Sequence, residues 1–219
     1  MTVRYALFSG KDTLEQHFQA AAKEDHYEIN YNAAPGDSMP VVYMEKAREK
    51  SIGRLIWGLK SPDSVDKEEI NAKAETLTQH SNLRKAFERK RCIIPANGFY
   101  EWKTLTSDIK LPFYIRLLDD ELFGFAGIFD RYTSGDQEIF TFAILSTRSN
   151  ELLQPLNDRM PVILHPEHYD YWLDPIHSDQ DKLGKLLQPF PTDLMSTYRV
   201  TNKVNDLKKN SVELIKPVM

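Results

Sequence analysis

The residue of this chain best suited by its neighbours to move a proton is Glu101. It lies in Phe99-Tyr100-Glu101-Trp102. Aromatic walls around a carboxylate strip water from it, raise its pKa and fit it for proton transfer near neutrality. Strand alternation offers the opposite outcome, with Glu101 facing solvent across the strand from Tyr100 and Trp102. Asn71 precedes Ala72-Lys73-Ala74-Glu75-Thr76, a position ordinarily read as a helix cap. Arg159, in Asp158-Arg159-Met160-Pro161, can neutralise a phosphate or form a buried ion pair with a carboxylate such as Asp158. Cys92 sits beside Ile93 and Ile94, where a thiol is usually buried and inert. No histidine neighbours it in sequence, so a thiol protease is not indicated. His165 and His168 read as surface residues. There is no second cysteine and no His-x-x-x-His pair, so neither a metal nor a cofactor is expected.

The elements that must position these groups are mostly strands. Residues 3–9, 39–44, 54–59, 91–94, 99–103, 112–117, 122–129, 139–147 and 199–204 carry β-branched or aromatic residues between turn signals. Thr133-Ser134-Gly135-Asp136 is a hairpin turn. Helices are expected over 12–23, with Asp12 as N-cap and Glu15 completing a capping box, and over 82–89, 150–156, 166–173 and 179–187, the last stopped by Pro189 and Pro191. Residues 67–78 are ambiguous. Many strands, scattered helices and no βαβ rhythm predict an α+β fold with a largely antiparallel sheet.

The 219 residues suit a single domain over 1–219. A composition of 41% hydrophobic and 27% charged residues is globular rather than disordered. No apolar run approaches the ~20 residues of a membrane span, and no signal peptide is evident. One cysteine permits no internal disulfide, which suits the cytoplasm. Nothing signals oligomerisation, and a monomer is expected. The net charge of −4 confines any nucleic-acid site to a local patch. Arg84, Lys85, Arg89, Lys90 and Arg91 could supply one, or could simply be the solvated face and basic last turn of a helix.

Four segments taken in order carry a resemblance: Tyr31-Asn32-Ala33-Ala34-Pro35-Gly36, Asn71-Ala72-Lys73-Ala74-Glu75-Thr76, Arg91 through Trp102, and Asp158 through Leu164. They resemble the SRAP family, the SOS response-associated peptidases that process abasic sites in single-stranded DNA. Val204, Asn205, Asn210, Glu213, Leu214 and Ile215 extend the match towards the C-terminus. The resemblance implies a curved, barrel-like antiparallel sheet ringed by helices. It implies Glu101 as catalytic acid/base and Asn71 beside the N-terminal nucleophile, its amide donating to a reacting oxygen. Arg4, Asn32, Pro35, Lys73 and Arg159 would contact DNA, while Glu75 and Thr76 would be structural polar contacts. The expected partner is single-stranded or abasic DNA in the damage response.

Departures cluster at the chemistry. The family begins Met-Cys-Gly-Arg, and this chain begins Met1-Thr2-Val3-Arg4. Asn157 stands where the family has His, Lys73 where it has Arg, and Lys60-Ser61-Pro62 where it has an aromatic wedge. In the family, removal of Met1 exposes a cysteine whose amine forms a Schiff base with the sugar aldehyde and whose thiol closes a thiazolidine. Thr2 is small enough for Met1 removal, which would free the same amine, but it offers only a hydroxyl, a weaker nucleophile that needs a general base. Three readings follow: an enzyme with altered, weakened covalent chemistry at Thr2; a non-catalytic single-stranded DNA-binding module; or a groove reassigned to a small molecule or peptide.

Overall fold

A computed structural model describes residues 2–45, 48–62, 64–119, 122–177 and 179–218. The chain opens with β1 (Tyr5–Leu7), α1 (Lys11–Phe18), β2 (Ala21–Ala22), β3 (Asn30–Ala33), β4 (Ser38–Met44) and β5 (Lys50–Trp57). The ambiguous stretch resolves into short pieces: β6 (Leu59–Ser61), β7 (Ser64–Glu69), β8 (Asn71–Lys73) and a 3-10 turn over Ala74–Gln79. Next come α2 (Ser81–Arg89), β9 (Arg91–Ala96), β10 (Gly98–Thr104), β11 (Lys110–Leu117), β12 (Phe123–Ser134) and β13 (Gln137–Arg148). The last elements are β14 (Arg159–Pro161), β15 (Ile163–Leu164), α3 (Tyr169–Leu173), α4 (Gln180–Lys185) and β16 (Met195–Arg199). No helix among the described residues is long and apolar enough to cross a membrane.

Five strands close a barrel. β12 pairs with β9, β9 with β4 and β4 with β5, all antiparallel. β13 is antiparallel to β12, and it closes the ring by pairing parallel with β5 through Thr141 opposite Ile56 and Phe142 opposite Trp57. The β12–β13 hairpin turns on Gly135 and Asp136, with Ser134 opposite Gln137. Gly135 has φ +60, the requirement of the first central residue in a type II′ turn. Beside the barrel lies a second sheet in the order β16-β11-β10-β1-β3. The expected α+β, mainly antiparallel, barrel-like architecture is therefore present.

The partners of β13 change along its length. Beyond the closing pair, its end runs parallel to β8, with Ser146 opposite Lys73, and antiparallel to β14, with Arg148 opposite Arg159. This one strand end thus holds two distant parts of the chain side by side. The main core fills the barrel with Trp57, Phe125, Phe142, Tyr5 and Phe99, all fully buried. A smaller cluster of Ala6, Tyr100, Tyr114, Val200, Val204 and Leu214 seats the C-terminal tail on the other face of the second sheet.

Several local expectations are corrected. Helix α1 starts at Lys11 with Gly10 as N-cap and no side-chain cap. Glu15 reaches forward instead, accepting from the Ala22 N–H at 2.9 Å. Residues 151–156 form turns rather than a helix, while the Asn150 side chain accepts from the Leu153 N–H and donates to the Phe190 carbonyl. The last strand is Met195–Arg199 rather than 199–204. Burial of Val200 and Val204 in the tail cluster draws the chain off into a 3-10 turn over Asn202–Asn205. Arg91 cannot join a basic surface patch: it is buried, and its guanidinium donates to the carbonyls of Trp172, Phe87, Glu88, Asp174 and His177. Lys90 is paired with Asp130.

Candidate active site

The first residues continue the line of β1 along β10. Tyr5 lies opposite Phe99, and the Tyr100 N–H donates to the Arg4 carbonyl. This antiparallel path delivers Thr2 to Glu101. Period-two alternation along β10 puts Phe99 and Glu101 on one face, and Tyr100 and Trp102 on the other. The first face is the inner one. Glu101 is only 2% exposed, so alternation turns it away from its aromatic neighbours and yet not towards solvent.

Both carboxylate oxygens of Glu101 are engaged. The Thr2 hydroxyl donates to Oε1 at 2.6 Å, and the Asn157 amide donates to Oε2 at 2.8 Å. Burial pushes the Glu101 carboxyl above its ordinary range, and these two hydrogen bonds oppose the shift without cancelling it. Thr2 is itself 2% exposed, and its carbonyl accepts from the Asn71 amide at 2.8 Å. Asn71 is a residue of β8 rather than a helix cap. Its strand is positioned by the parallel pairing with β13, so Asn71 reaches Thr2 across the end of the barrel. Asn157 is held in turn by the Arg159 N–H, which donates to its Oδ1 at 3.3 Å.

A cleft of about 650 Å3 opens beside these groups, with Arg4, Glu101, Trp102, Lys110, Asn157 and Asn205 among its walls. Arg4 is half-buried; one of its Nη groups donates to the Val3 carbonyl, while its buried Nε has no hydrogen-bond partner. Burial lowers its pKa, and Asp37 partly restores it. Arg159 is not in the cleft wall. Its side chain, 15% exposed, forms an ion pair with Glu75 and not with Asp158. Lys73 is exposed on the neighbouring strand.

Asn32 and Pro35 lie apart from this group. Asn32 is buried, and its amide donates to the carbonyls of Val204, Asp206 and Lys209 at 3.1–3.2 Å. Through these bonds it ties β3 to the C-terminal tail, while its buried Oδ1 has no hydrogen-bond partner. Pro35 and Gly36 form a tight turn between β3 and β4, closed by Asp37 N–H to the Ala34 carbonyl at 3.0 Å. Gly36 has φ +93, as the third position of a type II turn requires. Cys92 is fully buried, and burial pushes its thiol up, away from the reactive thiolate. Among the described residues no group of three His, Cys, Asp or Glu side chains could hold a metal.

Residue-by-residue reading missed three contributors. Trp102 and Asn205 form one wall of the cleft, the indole N–H donating to Asn205 Oδ1 at 2.9 Å. Ser146 accepts from Arg159 through both its hydroxyl and its carbonyl. Trp102 was visible as the aromatic next to Glu101, and Asn205 as part of Val204-Asn205. Ser146 carried no signal, since its role follows from strand pairing alone.

The family model described as SOS response associated peptidase (SRAP) matches residues 1–207. The abasic site processing protein YoqW of Bacillus subtilis is 39% identical, with 98% of this chain and 99% of that protein covered. YedK of Escherichia coli, also named an abasic site processing protein, is 26% identical over 96% of this chain and 98% of its own. A crystal structure of a Bacteroides thetaiotaomicron protein superposes with a TM-score of 0.88 at 25% identity, covering 99% of this chain and 100% of that one. With its barrel, its motifs and nearly its full length matched, this chain belongs to the SRAP family.

Proposed function

We propose that this protein recognises abasic sites in single-stranded DNA and reacts with them through Thr2, by chemistry weaker than a cysteine would give. The observation that carries this reading is the 2.6 Å hydrogen bond from the Thr2 hydroxyl to a buried Glu101, with Asn71 holding the Thr2 carbonyl. Removal of Met1 would free the Thr2 amine, which titrates at about 7.7–8.0 and is partly neutral at pH 7. The amine adds to the sugar aldehyde carbon, and the carbinolamine loses water to leave an iminium ion. Protonated Glu101 supplies the proton that leaves with that water. Its ionised form can then take the Thr2 hydroxyl proton as Oγ1 adds to the iminium carbon, closing an oxazolidine with a neutral N–H and restoring the acid. A hydroxyl is a poor nucleophile beside a thiolate, so this ring reverts readily. Loss of a proton from the sugar carbon next to the imine would expel the 3′ phosphate as a lyase does. Arg4, Lys73 and Arg159 supply the cations for the DNA backbone.

The test is the intact mass of the purified protein before and after incubation with abasic single-stranded DNA and borohydride. Loss of Met1 followed by a trapped adduct supports the reading. Retained Met1, or a free Thr2 with no adduct, overturns it. One observation favours a second reading, a module that binds single-stranded DNA without bonding to it: the group beside Glu101 is the amide of Asn157, which cannot relay a proton. Salt-sensitive binding with no adduct would support that reading.

A further inference from the structure

Arg159 is already engaged by an anion. Glu75 meets it with both oxygens, Oε2 to one terminal nitrogen at 2.8 Å and Oε1 to the other at 3.4 Å. This fork geometry matches the one a phosphate would use. The Nε donates to Ser146 Oγ at 3.2 Å, and the terminal nitrogen nearer Glu75 also donates to the Ser146 carbonyl at 2.6 Å. Four of the five guanidinium N–H groups are thereby used. Ser146 fixes the guanidinium to the barrel. Glu75 occupies the side left for a ligand.

The two partners differ in freedom. The Arg159 side chain is 15% exposed and Glu75 is 52% exposed. A largely buried guanidinium without a counter-ion is costly, whereas a half-exposed carboxylate on a 3-10 turn can return to water cheaply. Lys73, opposite Ser146 on β8, is exposed, and no carboxylate among the described residues forms an ion pair with it. Lys73 and Arg159 therefore flank Ser146 from its two neighbouring strands.

We propose that Glu75 is a stand-in for a DNA phosphate: it neutralises Arg159 in the free protein and must be displaced when a backbone phosphate bridges Arg159 and Lys73. The inference rests on the DNA-binding reading above. It makes Glu75 a residue that sets DNA affinity and restricts engagement of Arg159 to ligands that compete with a carboxylate.

The test is fluorescence anisotropy of a labelled, unmodified single-stranded oligothymidine with the wild type, Glu75→Gln, Arg159→Gln and the double variant, over a series of salt concentrations. Melting curves check that each is folded. Glu75→Gln should bind about 3–10-fold more tightly at low salt, and the gain should vanish when Arg159 is already Gln. Equal or weaker binding by Glu75→Gln overturns the inference and makes Glu75 a positioning residue. A gain that persists without Arg159 overturns it too, reducing Glu75 to general repulsion. If no variant binds at low salt, the DNA-binding reading fails together with this one.

Discussion

Asn157 donates to Glu101 Oε2 at 2.8 Å, on the oxygen that the Thr2 hydroxyl leaves free. The carboxylate is thus held from two sides, by the Thr2 hydroxyl and by an amide that can orient a proton but cannot carry one. This division of roles sets the expected behaviour of the site.

Replacing the amide with an imidazole should restore a proton relay. Asn157→His should raise the rate of borohydride-trapped adduct on abasic single-stranded DNA by about 10-fold or more. It should also introduce an inflection near pH 6.5, the ordinary histidine value. Trapping rates measured from pH 5 to 9 check both. An unchanged rate and a flat profile would show that proton transfer does not limit the reaction.

Glu101→Gln should separate function from stability. Without the carboxylate, adduct formation should fall by about 100-fold or more. Stability should move the other way. Burial raises the Glu101 carboxyl above its ordinary 4.5, so the native state holds this proton more tightly than the unfolded chain does. The wild type therefore loses stability as pH climbs from the unfolded value through the folded one. Glutamine has no charge to desolvate, so the variant should melt higher at pH 7 and converge with the wild type towards pH 4. Melting temperatures of both proteins over that range decide the matter; a variant that melts lower at pH 7 would contradict the assigned cause.

The nature of residue 2 should set how long the adduct lasts. Thr2→Cys should give a crosslink that survives heating without borohydride, because a thiol closes the ring that a hydroxyl closes poorly. Thr2→Val keeps the shape and the amine but removes the hydroxyl. It should still be trapped by borohydride, at a reduced rate. Denaturing gels with and without reductant distinguish the three proteins.

Asn32→Ala should destabilise the protein by about 1–3 kcal/mol, since it leaves the buried Val204 carbonyl and the part-buried carbonyls of Asp206 and Lys209 without this donor. Its amide serves Val204, Asp206 and Lys209. Hydrogen exchange should quicken around residues 204–209. The slope of DNA affinity against salt should stay as in the wild type, because no phosphate contact is lost. A shallower slope would return Asn32 to the DNA interface.

The relation of this sequence to this structure is uneven for physical reasons. Local signals were read well where local forces decide. The Gly135-Asp136 hairpin, the strand from Arg91 and the helix over Ser81–Arg89 follow from turn chemistry and periodicity. Helix boundaries fared worse where a side chain had a better distant partner, as when Glu15 turned forward to Ala22 and Asn150 reached Phe190. Glu101 shows the limit most clearly. Alternation correctly separates it from Tyr100 and Trp102, but which face is wet depends on the barrel behind it.

By itself, the sequence determined the residue types available for chemistry: a hydroxyl in place of a thiol at Thr2, an amide at Asn157, a carboxylate at Glu101. It also determined the family, because four motifs keep their order over nearly the whole chain. Only the tertiary structure decided which of these groups meet. Thr2 and Glu101 are 99 positions apart in the chain, and the strands of Asn71 and Arg159 meet on the end of β13. Such proximity is set by strand register, of β1 on β10 in the second sheet and of β8 and β14 on β13, a property of whole sheets that no window of sequence contains. The pairings of β8 and β14 with β13 likewise bring Arg159 to Glu75.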